Sequence, residues 1–126
     1  RATFLVHSLG MLELKSNRAA KAKAVFAFGL ERSSNSSQLL LGAALCEMKL
    51  GNEESARQLF ERAVNADKNH AQAWQSWGVM EMRAGNYNEA KTLFECGIKK
   101  VPTHGALWQA YATMESRRKN MQAARA

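Results

Sequence analysis

A 34-residue period runs through this sequence and limits the folds open to it more than any other feature. The segment 56–61, which reads ARQLFE, returns 34 positions later at 90–95 as AKTLFE. A weaker copy stands at 22–26, and Ala124 and Arg125 begin another. Because so many matches in phase do not arise by chance, we predict a repeat protein in which each period forms one supersecondary unit.

A second motif keeps the same step. It reads WxxWGxxE at 74–81 and WxxYAxxE at 108–115, and looser versions stand at 40–47 and 6–13. All four copies keep the final glutamate, which falls at Glu13, Glu47, Glu81 and Glu115.

Each unit is predicted to form two helices. In the third copy, apolar residues recur at helical spacing from Ala73 to Met82, and Gly85 ends the pattern. Asn86 is predicted to cap a second helix, with Glu89 completing a capping box. One such hairpin cannot bury its apolar face, so neighbouring hairpins must stack into an all-α solenoid. The predicted repeats of this single array, residues 1–126, span 3–36, 37–70, 71–104 and a truncated 105–126.

Charge and composition narrow the possible partners. The formal net charge of +7 favours polyanions, nucleic acid above all, although a merely soluble surface is the alternative interpretation. The longest apolar run, 39–46, is too short for a membrane span. Cys46 and Cys96 are out of step with the repeat and are predicted to be buried thiols in a reducing compartment, with no disulfide and no metal. Without a phosphate loop or a nucleophile motif, we expect neither an enzyme nor a cofactor.

The spacing of Trp74, Gly78, Ala90, Phe94 and Pro102 resembles that of the tetratricopeptide repeat, or TPR. The glutamate of the first helix and the Ala-Lys/Arg pair that opens the second make the chain similar to half-a-tetratricopeptide, or HAT, repeats. The stretch from Trp74 to Ala126 is most similar to the high-chlorophyll-fluorescence type of chloroplast RNA-maturation factor. The resemblance implies a right-handed α-α superhelix of about four HAT/TPR-like repeats, with the first helices on the concave face.

The HAT resemblance also implies a function. It is that of a single-stranded RNA-binding segment of an RNA-processing and mRNA-stabilisation factor, located in the chloroplast. Such a segment would protect or remodel the 5′ region of an organellar transcript. The alternative is a protein–protein scaffold in a nuclear splicing or polyadenylation complex.

Stacked repeats align equivalent residues in columns, and two columns are candidate RNA contacts. Cations at a constant step suit phosphates, although cations also favour helix C-termini. This cation column comprises Lys15, Lys49, Arg83 and Arg117, with Arg118 extending it. Polar side chains earlier on the same helices could read base edges, and this second column comprises His7, Gln75 and Gln109. Gln38 and Gln72 fit capping boxes better, with Asn35 and Asn69 as the N-cap residues.

A third set of charges is interpreted as structural. The four glutamates lie at the same height along the hairpins as four cations of the second helices. Because both sets keep the step of the repeat, we predict structural ion pairs or helix-terminus contacts within and between repeats. These cations are Lys23, Arg57, Lys91 and Arg125.

If the partner is a protein, apolar residues of the first helices would form a groove for a helix. These residues are Met11, Leu14, Leu45, Met48, Val79 and Met82. The expected partners are therefore single-stranded RNA and other RNA-processing proteins. Self-association through exposed repeat ends is a third possibility.

Overall fold

A computed structural model describes residues 2–125 and the side chains of 4–123. Over the described residues the chain forms seven α-helices and no strand, which confirms the predicted all-α class of helix-turn-helix repeats. The helices are α1 Ala2–Lys15, α2 Ala19–Arg32, α3 Ser37–Lys49, α4 Glu53–Ala66, α5 Ala71–Arg83, α6 Tyr87–Lys100 and α7 Gly105–Arg125. None of these helices is long and apolar enough to cross a membrane.

The helices group into two compact units. Unit 1 ends at Asp67 and contains α1–α4, and unit 2 begins at Lys68 and contains α5–α7. In unit 1, α1 pairs with α2 and α3 with α4, while α2 also packs on α3 and α1 touches α3. In unit 2, α6 packs on both α5 and α7, and α5 touches α7.

Phe26 of α2 lies at the centre of unit 1 and is fully buried. Small residues on both neighbouring helices make room for its ring. A Cβ atom added to Gly10 of α1 would lie 2.5 Å from the ring, and one added to Gly42 of α3 would lie 2.3 Å from it. In unit 2, Phe94 of α6 has the same relation to Gly78 of α5, at 2.4 Å. In the hairpins α1–α2 and α5–α6, an aromatic ring of the second helix is therefore pressed onto a small residue of the first helix.

Three turns share one backbone conformation. Asn17, Gly51 and Gly85 have φ values of +62°, +85° and +88°, and they occupy the same position in successive repeats. The next residue donates its backbone N–H to the carbonyl five positions back, as in the Schellman motif; Asn86 N, for example, lies 2.8 Å from Glu81 O. Positive φ suits only glycine and, less well, asparagine, so these residues fix where α1, α3 and α5 end.

The fourth copy departs from the prediction of two helices per repeat. Lys119 occupies the position of Asn17, Gly51 and Gly85, and α7 continues through it without a turn. The prediction that a second helix opens at Ala124 was therefore wrong. Ala124 and Arg125 belong to α7, and their side chains lie outside the described residues. Lysine has no ready access to positive φ, which explains why the helix does not stop there.

The capping predictions also need correction. Asn86 makes no side-chain cap bond at the start of α6. At the start of α3 the N-cap is Ser36, whose hydroxyl accepts from Leu39 N at 3.4 Å, so Asn35 does not fill this role. Both thiols are free: Cys46 is buried, which raises its pKa to about 11 with Glu47 contributing, but Cys96 is only half-buried.

Candidate functional site

A surface groove runs between α5 and α7 in unit 2 and has a volume of about 270 Å³. Its α5 residues are spaced by three and four along one face of that helix, and its α7 residues follow the same rule. The groove is lined by Gln75, Val79, Met82 and Arg83 of α5 and by Ala106, Gln109, Ala110, Thr113 and Arg117 of α7.

The groove combines three kinds of chemistry. Gln75 and Gln109 supply amides that can donate and accept. Val79 and Ala110 are half-buried and form part of an apolar floor. Arg83 and Arg117 are exposed at one end. The Nε2 atom of His104 lies 3.5 Å from the Gln75 Oε1 atom, which ties that amide to the turn before α7.

The structure thus brings four of the predicted contact residues into one site, the two glutamines and the two arginines of unit 2. Sequence reasoning also proposed Val79 and Met82 as groove residues. It missed Ala106, Ala110 and Thr113. The sequence does indicate Thr113, because this residue lies one 34-residue step after Val79. It could have been found by extending the predicted apolar groove residues by one repeat.

The remaining cations of the column lie elsewhere. Lys15 and Lys49 are exposed in the last turns of α1 and α3. Lys49 lines a separate, open cavity of about 540 Å³ in unit 1 whose other cations are Arg18 and Lys21. Arg118 is half-buried, lies 4.0 Å from the Glu115 carboxylate and faces a cavity other than the groove.

His7, the third predicted base contact, has a different environment from the two glutamines. Its ring packs edge-on against Phe26, with ring centroids 6.2 Å apart and planes at 63°. Burial lowers the pKa of His7 below its ordinary value. The residue therefore belongs in part to the packing of unit 1.

Each glutamate of the predicted ladder has its own surroundings. Glu47 lies 3.2 Å from the Lys23 ammonium of α2 and accepts from Asn52 Nδ2, also at 3.2 Å. Glu13 pairs with Arg18 at 3.6 Å. The fully buried Glu81 accepts from Asn86 Nδ2 at 2.9 Å and from Trp77 Nε1 at 3.3 Å.

The ladder cations are less uniform than their spacing predicts. Arg57 lies 3.9 Å from Glu53 and 3.5 Å from Glu54 of its own helix. Lys91 is half-buried, and the side chain of Arg125 lies outside the described residues. Sequence reasoning missed the residue five positions after each glutamate, Arg18, Asn52 or Asn86, which contacts the carboxylate in all three turns.

Within residues 4–123, no cluster of three or more histidine, cysteine, aspartate or glutamate side chains is arranged to hold a metal ion. Paired helices with a groove on the shared face of successive first helices define a helical-repeat binding scaffold. The chain belongs to the tetratricopeptide repeat family, whose model matches residues 13–76. This fold is a non-catalytic, protein-binding scaffold.

Solved structures support the same fold. The TPR domain of Sgt2 from Aspergillus fumigatus matches with a TM-score of 0.85 and 22% identity, over 100% of this chain and 83% of that one. The second TPR domain of human RPAP3, in complex with the HSP70 peptide SGPTIEEVD, has a TM-score of 0.75 and 19% identity, over 87% and 92%. The Yersinia enterocolitica secretion chaperone SycD, in complex with a peptide of the translocator YopD, has a TM-score of 0.77 and 13% identity, over 90% and 92%.

A search of curated protein sequences finds no match to this chain. The predicted resemblance to tetratricopeptide repeats is confirmed. The matched domains of Sgt2 and RPAP3 are TPR domains and not HAT factors.

Proposed function

We propose that this chain is a protein-interaction scaffold that binds an extended, acidic peptide in the groove between α5 and α7. The observation that carries the proposal is the composition of this groove, an apolar floor with amides along it and two arginines at one end. Two proteins of the same fold bind peptides in their solved structures. They are the second TPR domain of RPAP3, with an HSP70 peptide, and the secretion chaperone SycD, with a peptide of YopD.

The groove fits a peptide in extended conformation. Such a peptide presents backbone N–H and C=O groups at a regular rise, and the amides of Gln75 and Gln109 can bond to both. Small apolar side chains of the peptide would lie on Val79 and Ala110. The guanidinium groups of Arg83 and Arg117 favour carboxylates, because charge-assisted bonds from arginine are stronger than neutral ones. The overall charge of +7 also attracts an acidic segment.

A titration of the full chain with a labelled acidic peptide tests the proposal. The probe is SGPTIEEVD, the peptide of the RPAP3 complex, and the control peptide has glutamine and asparagine in place of its acidic residues. We expect Arg83→Ala with Arg117→Ala to weaken binding by about tenfold, which corresponds to ~1.4 kcal/mol. Lys15→Ala with Lys49→Ala removes the same net charge from the same column in unit 1 and is expected to leave binding nearly unchanged. Equal losses from the two pairs would reduce the interaction to non-specific attraction and refute the groove as its site.

RNA binding is the competing outcome. The HAT resemblance implies it, but neither the matched family nor the structural neighbours support it. The same variants distinguish the two: RNA binding through the whole column should weaken in both pairs and fall steeply with salt. Single-stranded RNA that binds more tightly than the peptide, with all four cations contributing, would overturn the peptide proposal. The RNA-processing role and the chloroplast, or alternatively the nucleus, rest on the resemblance alone.

A further inference from the structure

The groove between α5 and α7 has three levels along its length. On each helix, the side chains that set these levels are four residues apart. The two helices match level by level, because each pair is separated by one 34-residue step. The amide level is Gln75 with Gln109, the middle level is Val79 with Thr113, and the arginine level is Arg83 with Arg117. The groove therefore presents one kind of side chain at each level: amides, then β-branched residues, then cations.

The spacing of the levels matches that of an extended peptide. A helix rises about 1.5 Å per residue, so neighbouring levels lie ~6 Å apart along the helix axis. A β-strand rises about 3.3 Å per residue and its alternate side chains point the same way, so they recur every ~6.6 Å. Over the three levels the two spacings differ by only ~1 Å, which flexible side chains can absorb. Every second residue of an extended peptide would therefore face one level.

The size of the groove also favours an extended occupant. Its volume is about 270 Å³, and the amide and arginine levels lie ~12 Å apart along α5. The mean cross-section is therefore roughly 20–25 Å², whereas an α-helix with its side chains is about 10–12 Å across. One extended backbone can enter the groove, but a helix could only lie over it.

Among the described first helices, only α5 and α7 carry all three levels. In α3 the position of the amide level is Leu41, which is 3% exposed. In α1 it is His7, which packs against Phe26. The cation recurs in both helices, as Lys15 and Lys49. The first helices thus share their charge, but the combination of levels is particular to unit 2.

We propose that the groove reads alternate residues of an extended peptide: an acidic one at the arginine level, a small apolar one at the middle level and a polar one at the amide level. This inference rests on the proposed function, because it specifies the peptide that the same groove binds. The acidic and apolar residues are two positions apart, and the residue between them faces solvent. At the arginine level a carboxylate meets a guanidinium from each helix, and no acid is among the described residues that line the groove.

Two peptides of one composition test this register. The first, SVSESVSES, places each valine two positions from a glutamate. The second, SVESSSVES, has the same residues and charge, but its valines and glutamates are one, four or six positions apart. Both peptides have blocked ends, so that no terminal charge contributes. In titrations of the full chain, followed by the amide resonances of α5 and α7, the first peptide should bind about tenfold more tightly than the second.

A rearranged groove provides the matched control. Thr113→Arg with Arg117→Thr moves one cation of α7 from the arginine level to the middle level without changing composition or charge. Both side chains are exposed, so the fold should be retained. We expect the preference for the first peptide to fall below about twofold, because its carboxylate then meets only Arg83 and its valine meets a guanidinium.

Equal affinities of the wild type for the two peptides would overturn the proposal. If Arg83→Ala with Arg117→Ala then weakened both, the groove would bind acidic peptides without a register and the proposed function would stand. If neither peptide nor SGPTIEEVD bound, the proposed function would fail as well. Tighter binding of the second peptide would also overturn the register, because residues four apart lie on one face of a helix and a helical occupant would then lie on the groove. An undiminished preference in the rearranged groove would show that the levels do not set the register.

Discussion

Asn86 contacts Glu81 twice: its backbone N–H lies 2.8 Å from the Glu81 carbonyl oxygen, and its side-chain Nδ2 donates to the Glu81 carboxylate at 2.9 Å. The carboxylate also accepts from Trp77 Nε1 at 3.3 Å, and Glu81 is only 1% exposed. One buried glutamate therefore joins the middle of α5, its last turn and the start of the next helix.

We expect Glu81→Ala to destabilise unit 2 by about 2–3 kcal/mol, because it leaves the half-buried donors of Trp77 and Asn86 without their acceptor. Glu81→Gln keeps one oxygen and should cost less. The matched control is Glu115→Ala, at the same position of the fourth repeat. No turn follows Glu115, and its Oε1 has no hydrogen-bond partner within the described residues, so the loss should be below about 0.5 kcal/mol. Urea denaturation of the three variants measures these differences, and equal losses at the two sites would contradict the role given to the turn.

The positive φ of Gly85 gives a second prediction. Gly85→Ala should lower the free energy of unfolding by about 1 kcal/mol, since an added Cβ meets no neighbouring atom and only the backbone conformation, at φ +88°, opposes it. Gly51→Ala should behave alike. Gly105→Ala is the control of opposite sign: it also meets no atom, has no positive φ, and opens α7. Alanine there should raise stability by about 0.4–1 kcal/mol, as thermal unfolding can show.

Much of the fold follows from the 34-residue step. Gly51 and Gly85 predict the ends of α3 and α5, because glycine is the residue that most readily takes positive φ. The fourth repeat escapes this reasoning because a single position decides it. Asn120 keeps the residue that bonds back to the glutamate in other turns, but Lys119 replaces the residue of positive φ, so the helix continues. A comparison of whole repeats hides a change at one such position.

Side-chain partners were harder to predict. Asn86 can cap the next helix or bond back to Glu81, and each choice contributes about 1 kcal/mol, so sequence spacing alone does not decide between them. Sequence spacing also does not predict the surroundings of the second column of candidate RNA contacts. His7 and Gln75 are equivalent in sequence, but His7 is packed against the ring of Phe26 and Gln75 lines the groove. The two columns did predict four residues that line one groove, Gln75, Gln109, Arg83 and Arg117.

Close packing around Phe26 gives a third prediction. In a helix, alanine is favoured over glycine by about 1 kcal/mol. At Gly42, however, the added Cβ would come 2.3 Å from the Phe26 ring, which is fully buried and cannot move into solvent. Overpacking of this kind costs about 1–3 kcal/mol, so Gly42→Ala should be destabilising overall.

The matched background for this test is Phe26→Leu. The smaller side chain leaves space for a methyl group, and Gly42→Ala should then be neutral or stabilising. The coupling energy from the four denaturation curves measures the contact, because it cancels the separate effects of the two substitutions. A coupling energy near zero would mean that the ring does not limit position 42.

The last prediction concerns pH and His7. Burial against Phe26 lowers the pKa of this histidine below its ordinary value of 6.5 in the folded chain. As pH falls through 6.5, His7 of the unfolded chain binds a proton, whereas His7 of the folded chain stays neutral to lower pH. His7 therefore contributes its full stability above this pH. That contribution is lost progressively down to the lowered pKa of the folded state, below which the loss stops growing.

His7→Gln places in α1 the residue found at the same position of α5 and α7 and removes the titrating group. The difference in unfolding free energy between the two proteins should thus depend on pH within this window, with the wild type losing more as the solution is acidified. Other groups titrate in both proteins alike and cancel in the difference, so parallel curves from about pH 8 to about pH 5 would show that His7 is not desolvated by the Phe26 ring.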